Sequence, residues 1–238
     1  MKGSPLIDCV TIENCQNFSD NPIVEQHKLR YREVIGKEKW TNVYVCGDME
    51  FDQYDNLATE YYVARNKNGQ VVGVTRSYPT TIPYMLSESF KYLFSGQLPS
   101  SPVILEASRL VLDRTLLNKE ERKPVVEELI VAYMERGRQR GIDAYIGFML
   151  PKIWESTFIR SGWDVQWLGP EVPLPQSNDI VRAGLMPVNE EMEEKVRMTT
   201  GLHTDVLNFG EQTTDYVPGM SYHSHKIIEN NINIKKAA

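Results

Sequence analysis

The stretch VILEASRLVLDRTLLNKEERKPVVEELIVAYMERGRQRGIDAYIGFML, residues 103–150, decides the fold. Its first ten residues are an apolar run of strand type, broken only by Glu106, Ser108 and Arg109. Over 124–138, Val125, Leu129, Ala132 and Tyr133 recur at helical spacing, with a proline tolerated in the first turn and Gly141 placed to stop the helix. A second apolar strand follows over 144–150. Strand, helix and strand in that order predict a mixed α/β protein.

Working outward toward the N-terminus, 84–94 reads as a short helix. Residues 60–65 and 71–77 read as two strands joined by the turn Asn66-Lys67-Asn68-Gly69. An acid-rich loop spans 40–56, a helix carrying Ile23, Val24, His27 and Tyr31 covers 22–33, and a short strand lies at 6–12. Toward the C-terminus, a helix over 152–160 halts near Gly162 and a strand follows over 164–168. Beyond 189 the chain turns polar, with 190–197 the last helical candidate. One domain is therefore expected over 1–190, with 191–238 an extension of unknown role. In that extension Tyr222, His223 and His225 are read as solvated residues rather than as a metal tract.

The 238 residues are 41% hydrophobic and 24% charged, an ordinary globular composition without repeats or low-complexity linkers. A net charge of -6 and a pI near 5.4 supply no positive field for nucleic acid or an anionic membrane. Three cysteines, Cys9, Cys15 and Cys46, and four histidines show no paired metal-ligand spacing and read as free cytosolic thiols and plain histidines. No signal peptide or apolar span is legible, so the expected location is the cytoplasm.

Charged residues that interrupt orderly patterns need partners, because a buried charge is costly unless paired. Asp52, Asp55 and Glu106 stand against Arg30, Arg76 and Arg109, and the expectation is one network. Regular alternation places Glu106 and Ser108 on one face of their strand and Arg109 on the other, unless a bulge re-aims one of them. The pattern alone fits a structural salt-bridge cluster as well as a catalytic one.

The ordered set Arg30, Trp40, Glu50-Phe51-Asp52-Gln53-Tyr54-Asp55, Arg76, Phe90 and Glu106-Ala107-Ser108-Arg109 resembles the LuxI-type acyl-homoserine-lactone synthases, in spacing as well as identity, over about 29–169. The resemblance implies a GNAT-like fold: a mixed twisted sheet flanked by helices, with a V-shaped cleft between central strands. It implies acyl transfer from acyl carrier protein or acyl-CoA to the amine of S-adenosylmethionine, then lactone closure with release of methylthioadenosine. Both reactants are substrates, and no cofactor is expected.

Within that resemblance, Asp52 and Asp55 suit the cationic adenosylmethionine, Glu106 is the candidate base, and Arg30, Arg76 and Arg109 hold the carboxylates in position. Trp40 reads as a pocket wall or a structural anchor, with Val34, where the family has an aromatic, and Ser108 nearby on the substrate side. Phe90, Leu105, Phe148, Met149 and Leu150 are the expected acyl-tunnel residues. Lys152 and Arg160 are the carrier-docking candidates, although Ser156 stands where some relatives are basic. The turn over 113–122 lacks glycine, which disfavours ordinary cradling of a CoA diphosphate. Without a threonine hydroxyl in 145–150, the expected acyl chain is unsubstituted. Another GNAT-type N-acyltransferase, or a silent acyl-carrier or ligand-binding protein, would fit the residues alone.

Overall fold

A computed structural model describes residues 7–40, 43–175, 177 and 179–211. In chain order the elements are β1 (Ile7–Val10), α1 (Pro22–Arg30, continued by π-helical turns over Tyr31–Lys37), β2 (Tyr44–Cys46), β3 (Met49–Phe51), β4 (Glu60–Arg65) and β5 (Val71–Pro79). There follow α2 (Met85–Glu88), β6 (Ile104–Leu112), α3 (Lys119–Arg140), β7 (Ala144–Met149) and α4 (Pro151–Ile153, continued by π-helical turns over Trp154–Ile159). The last are β8 (Gln166–Trp167), β9 (Val172–Pro173), β10 (Ile180–Pro187), α5 (Glu190–Thr200) and β11 (Leu207–Asn208). The main sheet runs β11-β1-β4-β5-β6-β7-β10-β8, and β9 joins β10. Most neighbours are antiparallel, while β6 and β7 are parallel because α3 carries the chain back between them.

Alternation along the strands sorts the core onto two faces. Val10, Tyr61, Val63 and Val74 meet Leu29 of α1, and further along the same face Tyr78, Ile146, Val181 and Ala183 lie under Leu86 and Leu93 of the 80–102 segment. Tyr62, Ala64, Val72, Leu105 and Tyr145 face α3, with Trp154, Phe158 and Trp163 beside them. This is the expected sandwich of helices about a mixed sheet. The opening is visible in the register. Parallel pairing of β6 with β7 is confined to Ile104–Glu106 against Ala144–Ile146, after which both strands run on without each other. Gly147 stands at that fork, where an added Cβ would lie 2.9 Å from the Ala107 carbonyl oxygen.

Several elements differ from the sequence reading. α3 begins five residues before Pro124, because Asn118 caps the helix by accepting from the N–H groups of Glu120 and Glu121 while Glu121 accepts from Asn118. The acid-rich loop contains the β2–β3 hairpin, and the 84–94 helix is two short pieces. β10, a full member of the sheet, went unread. The division at 190 does not hold. Met192 and Val196 of α5 and the following Val206 are buried, and β11 lies parallel to β1 in the main sheet. Tyr222, His223 and His225 lie outside the described residues.

Candidate functional site

On the α1 face of the sheet, three arginines meet three carboxylates. Arg30, fully buried in α1, grips Asp55 with both terminal nitrogens (2.7 and 2.9 Å) and Glu50 with Nε (2.5 Å). Arg76, fully buried in β5, donates to Asp55 (2.5 Å), Asp52 (2.6 Å) and the Ser108 hydroxyl (3.0 Å). Arg109 reaches Glu50 (2.9 Å) and Asp52 (2.7 Å), and its guanidinium lies 5.3 Å from the Trp40 ring centre. Tyr61 and the Asp52 N–H add two further donors to Asp55. With three charges of each sign and bidentate geometry, the cluster is neutral as a unit and offsets its own desolvation.

These charges set one another's ionisation. Burial pushes the Asp55 carboxyl up, but Arg30 and Arg76 overrule it and hold it well below the carboxylate range. Asp52 follows the same balance, burial against Arg76 and Arg109, and is also lowered. Burial and the neighbouring Arg30 push His27 down, so it is neutral, with Nδ1 on the Glu50 carbonyl oxygen (2.8 Å).

A bulge supplies Arg109. Val74 pairs with Val111 and Arg76 with Ser108, so two β6 residues, Arg109 and Leu110, span the single Thr75. Arg109 takes φ of +56°, a left-handed conformation that costs a side-chain-bearing residue roughly 1–2 kcal/mol. The extra residue shifts the alternation. Arg109 and Val111 now share the face of Glu106 and Ser108, while Leu110 and Leu112 turn to α3. Strict alternation had put Arg109 on the opposite face, and the ion pairs hold the bulge that reverses it.

Glu106 stands apart from this cluster, contrary to the expectation that an arginine would pair with it. Its carboxylate, 1% exposed, accepts from the Tyr78 hydroxyl (2.5 Å) and from the N–H groups of Met85 and Leu86 (both 2.8 Å), where α2 begins. Burial raises its pKa against those three hydrogen bonds. The acid that takes its expected place among the arginines is Glu50, fully buried. It belongs to the same Glu-x-Asp-x-x-Asp run, and its role shows only once the β2–β3 hairpin folds it inward. Tyr78 was also missed; its position two residues past Arg76, on the same strand face, was the available signal.

The hydrophobic candidates divide. Phe90 and Phe148 meet at 4.4 Å between ring centres, in the aromatic cluster beneath the 80–102 segment. Leu105 and Met149 belong to the α3 face, because neighbours on a strand point oppositely, and Leu150 is exposed. Beyond the cluster an open cavity of about 510 Å³ is bordered by Phe94, Trp167, Leu168 and Arg182. Trp40 is half exposed. Val34 is buried, and its carbonyl accepts the Trp40 N–H (3.1 Å). Lys152 and Arg160 are exposed on the α4 segment. Among the described residues, no group of His, Cys, Asp and Glu is placed to hold a metal ion, and no helix is long and apolar enough to cross a membrane.

At the β6–α3 turn, carboxylates of the chain itself occupy the backbone donors. Glu33 accepts from Arg114 N–H, and Asp113 from the N–H groups of Thr115 and Leu116. Arg32, Lys37 and Arg114 pair with these two acids and close the turn against α1.

Comparison with known proteins gives this geometry its context. An acyl-homoserine-lactone synthase of Pseudomonas aeruginosa is 30% identical over 168 residues, 69% of this chain and 83% of that protein. The solved CoA-dependent acyl-homoserine lactone synthase MesI superposes with a TM-score of 0.72 at 25% identity, over 86% of this chain and all of MesI. BjaI, a CoA-dependent synthase solved with S-adenosylmethionine and isopentyl-CoA, shares the fold at a TM-score of 0.76 and 24% identity, over 86% of this chain and 93% of its own. The autoinducer synthase family model matches residues 14–196, and the chain belongs to that family as an acyl-homoserine-lactone synthase, an acyltransferase.

Proposed function

We propose that the parted ends of β6 and β7 receive the acyl thioester, that adenosylmethionine lies against Trp40 and the three-arginine cluster, and that Glu106 is the base that frees its amine. The observation that supports this most is the placement of Glu106 at the last β6–β7 pair, on the strand face that also presents Ser108 and Arg109. The sulfonium and ammonium of the substrate favour an acidic surround, and the arginines fix that surround in place. Backbone N–H groups freed where the strands part are suited to the oxyanion of thioester attack. Closure of the lactone then needs chiefly the substrate carboxylate held in line with the γ-carbon. None of these steps is redox, so the two substrates and the chain's own side chains suffice without a cofactor, in the cytoplasm where both substrates are made.

An acyl carrier protein is the favoured donor, docking at Lys152 and Arg160. At the β6–α3 turn, where a CoA diphosphate would seek backbone donors, Glu33 and Asp113 already hold them. The second reading, acyl-CoA, is favoured by likeness to MesI, a CoA-dependent synthase. Turnover of one acyl group on both carriers separates the two. A higher kcat/KM for the carrier protein, reduced at least about tenfold by a K152E/R160E pair, supports the first. Equal or better use of the CoA thioester, untouched by that pair, supports the second.

A further inference from the structure

Behind the sheet, on its α3 side, the bulge that delivers Arg109 meets two hydroxyls that take no part in the charge cluster. Thr75 is the β5 residue that the bulge spans; it pairs across to Tyr62, which faces α3, and Tyr133 rises toward it from the middle of that helix. Both are buried. The Thr75 hydroxyl reaches the Ser108 carbonyl oxygen (3.1 Å), the Tyr133 hydroxyl reaches the Arg76 carbonyl oxygen (2.7 Å), and the two hydroxyl oxygens lie 2.6 Å apart. Two protons therefore serve three contacts, and the pair acts as one unit. On the other face of the sheet the same two residues are joined again, by Arg76 Nε–H to Ser108 Oγ at 3.0 Å. Arg76 and Ser108, the register pair at the edge of the bulge, are thus tied by side chains in front and through main-chain carbonyls behind. The Tyr133 ring is packed between Tyr62 and Tyr145, at 4.6 and 4.7 Å between ring centres, which makes its hydroxyl a fixed point.

A bulge at this place needs such support. It interrupts the ladder, obliges buried main-chain groups to find other partners, and holds Arg109 in a left-handed conformation. The ion pairs of Arg109 pull from the front, but they end on side chains, whereas the hydroxyl pair ends on the backbone of both strands beside the break. We propose that Thr75 and Tyr133 are positioning residues, a rear clamp that fixes the bulge and with it the directions of Ser108 and Arg109 toward the substrate. This rests on the reading that adenosylmethionine lies against this strand face, and it adds what holds that face in place. The clamp carries no proton to or from the substrate and does not touch it. Its loss leaves two buried carbonyls short of donors, and the bulge relaxes to regain them. A reacting amine displaced by about 1 Å from the thioester loses on the order of 100-fold in rate, while its binding changes little.

The test follows methylthioadenosine release from S-adenosylmethionine and an acyl thioester by the full chain carrying Thr75→Val, Thr75→Ser, Tyr133→Phe or the Val and Phe changes together, well below the Tm of each variant. Thr75→Val and Tyr133→Phe are each expected to lose about 10–100-fold in kcat, with KM for adenosylmethionine within about threefold. Their pH–rate profiles should keep the wild-type shape, because the clamp is neither acid nor base. The double variant should cost little more than either single one, since the two hydroxyls work as a unit. Thr75→Ser keeps the hydroxyl and should recover most of the rate. Tyr145→Phe is the control: it removes a hydroxyl that donates to the Tyr133 carbonyl (3.1 Å) in the same ring stack without reaching the bulge, and its kcat should stay near wild type. Wild-type kcat in Thr75→Val, a Thr75→Ser variant as slow as Thr75→Val, losses that multiply in the double variant, an altered pH profile, or an equal loss in Tyr145→Phe overturns the clamp. If Tyr133→Phe does not fold, the comparison of Thr75→Val with Thr75→Ser decides alone. A wild-type chain that releases no methylthioadenosine would instead count against the proposed function itself.

Discussion

Replacing Asp55 with asparagine probes the charge cluster at its centre. Asp55 accepts five hydrogen bonds, from Arg30 twice, Arg76, Tyr61 and the Asp52 N–H, and both arginines are fully buried. Asparagine keeps the shape and removes the charge, leaving three guanidinium groups against two carboxylates, with an amide N–H₂ turned toward donors. Removing one partner of a buried pair costs roughly 3–5 kcal/mol. For a domain of this size each kcal/mol lowers Tm by about 2–4 °C, so the expected fall is roughly 6–20 °C. Urea unfolding at pH 7, followed by circular dichroism, measures the loss, and an unchanged m-value confirms that the unfolded state is comparable. Asp20→Asn is the control. Asp20 pairs with Arg65 but its side chain is 49% exposed, and the expected loss is below about 1 kcal/mol. A loss of the same small size for Asp55→Asn would refute the claim that the cluster is a buried, mutually dependent unit.

Further expectations follow from the same geometry. Asp52, Asp55, Glu33 and Asp113 all have carboxyl pKa values depressed by their partners in the folded chain. Their stabilisation is therefore full above the unfolded values near 4 and is lost as pH falls below them, with the raised Glu106 and Glu128 pulling the other way. Stability that stayed constant from pH 6 to 3 would contradict these pairings. Gly147→Ala places a Cβ against the Ala107 carbonyl oxygen at the fork of β6 and β7. The expected result is a loss of about 1–3 kcal/mol together with reduced kcat, and unchanged turnover would mean that the fork does not shape the acyl site. Phe90→Ala removes one ring of the Phe90–Phe148 pair and should raise the kcat/KM ratio of a longer acyl thioester over a shorter one. Equal changes for both lengths would remove the aromatic cluster from the acyl path.

The hairpin of β4 and β5 was legible because its turn is written locally in Asn66 to Gly69, and α3 because its apolar stripe repeats over several turns. β10 escaped because its apolar residues past Ile180 pack on both faces, Val181 and Ala183 on one and Met186 on the other, so the sequence does not alternate, and Gly184 stands where Trp154 and Val165 approach closely. The place of 191–211 in the domain rests on a few residues, Met192, Val196, Val206 and Leu207, that reach the core from a polar stretch. At the site, the residue types and order of five of the six cluster members could be read, but their partners could not. The bulge at Arg109, the inward turn of Glu50 and the capture of Glu106 by Tyr78 and α2 are tertiary events. Each depends on segments distant in sequence, which a one-dimensional pattern does not bring together.

The most direct test is expression of the chain in a bacterium that has no synthase of its own, with extracts scanned by mass spectrometry for the fragment shared by homoserine lactones. The expected result is that fragment, with a parent mass that identifies the acyl group, and its disappearance in a Glu106→Gln strain at equal protein level. Folded, well-expressed protein that yields no such fragment, and that releases no methylthioadenosine when purified and offered carrier-bound and CoA-bound thioesters, would contradict the account.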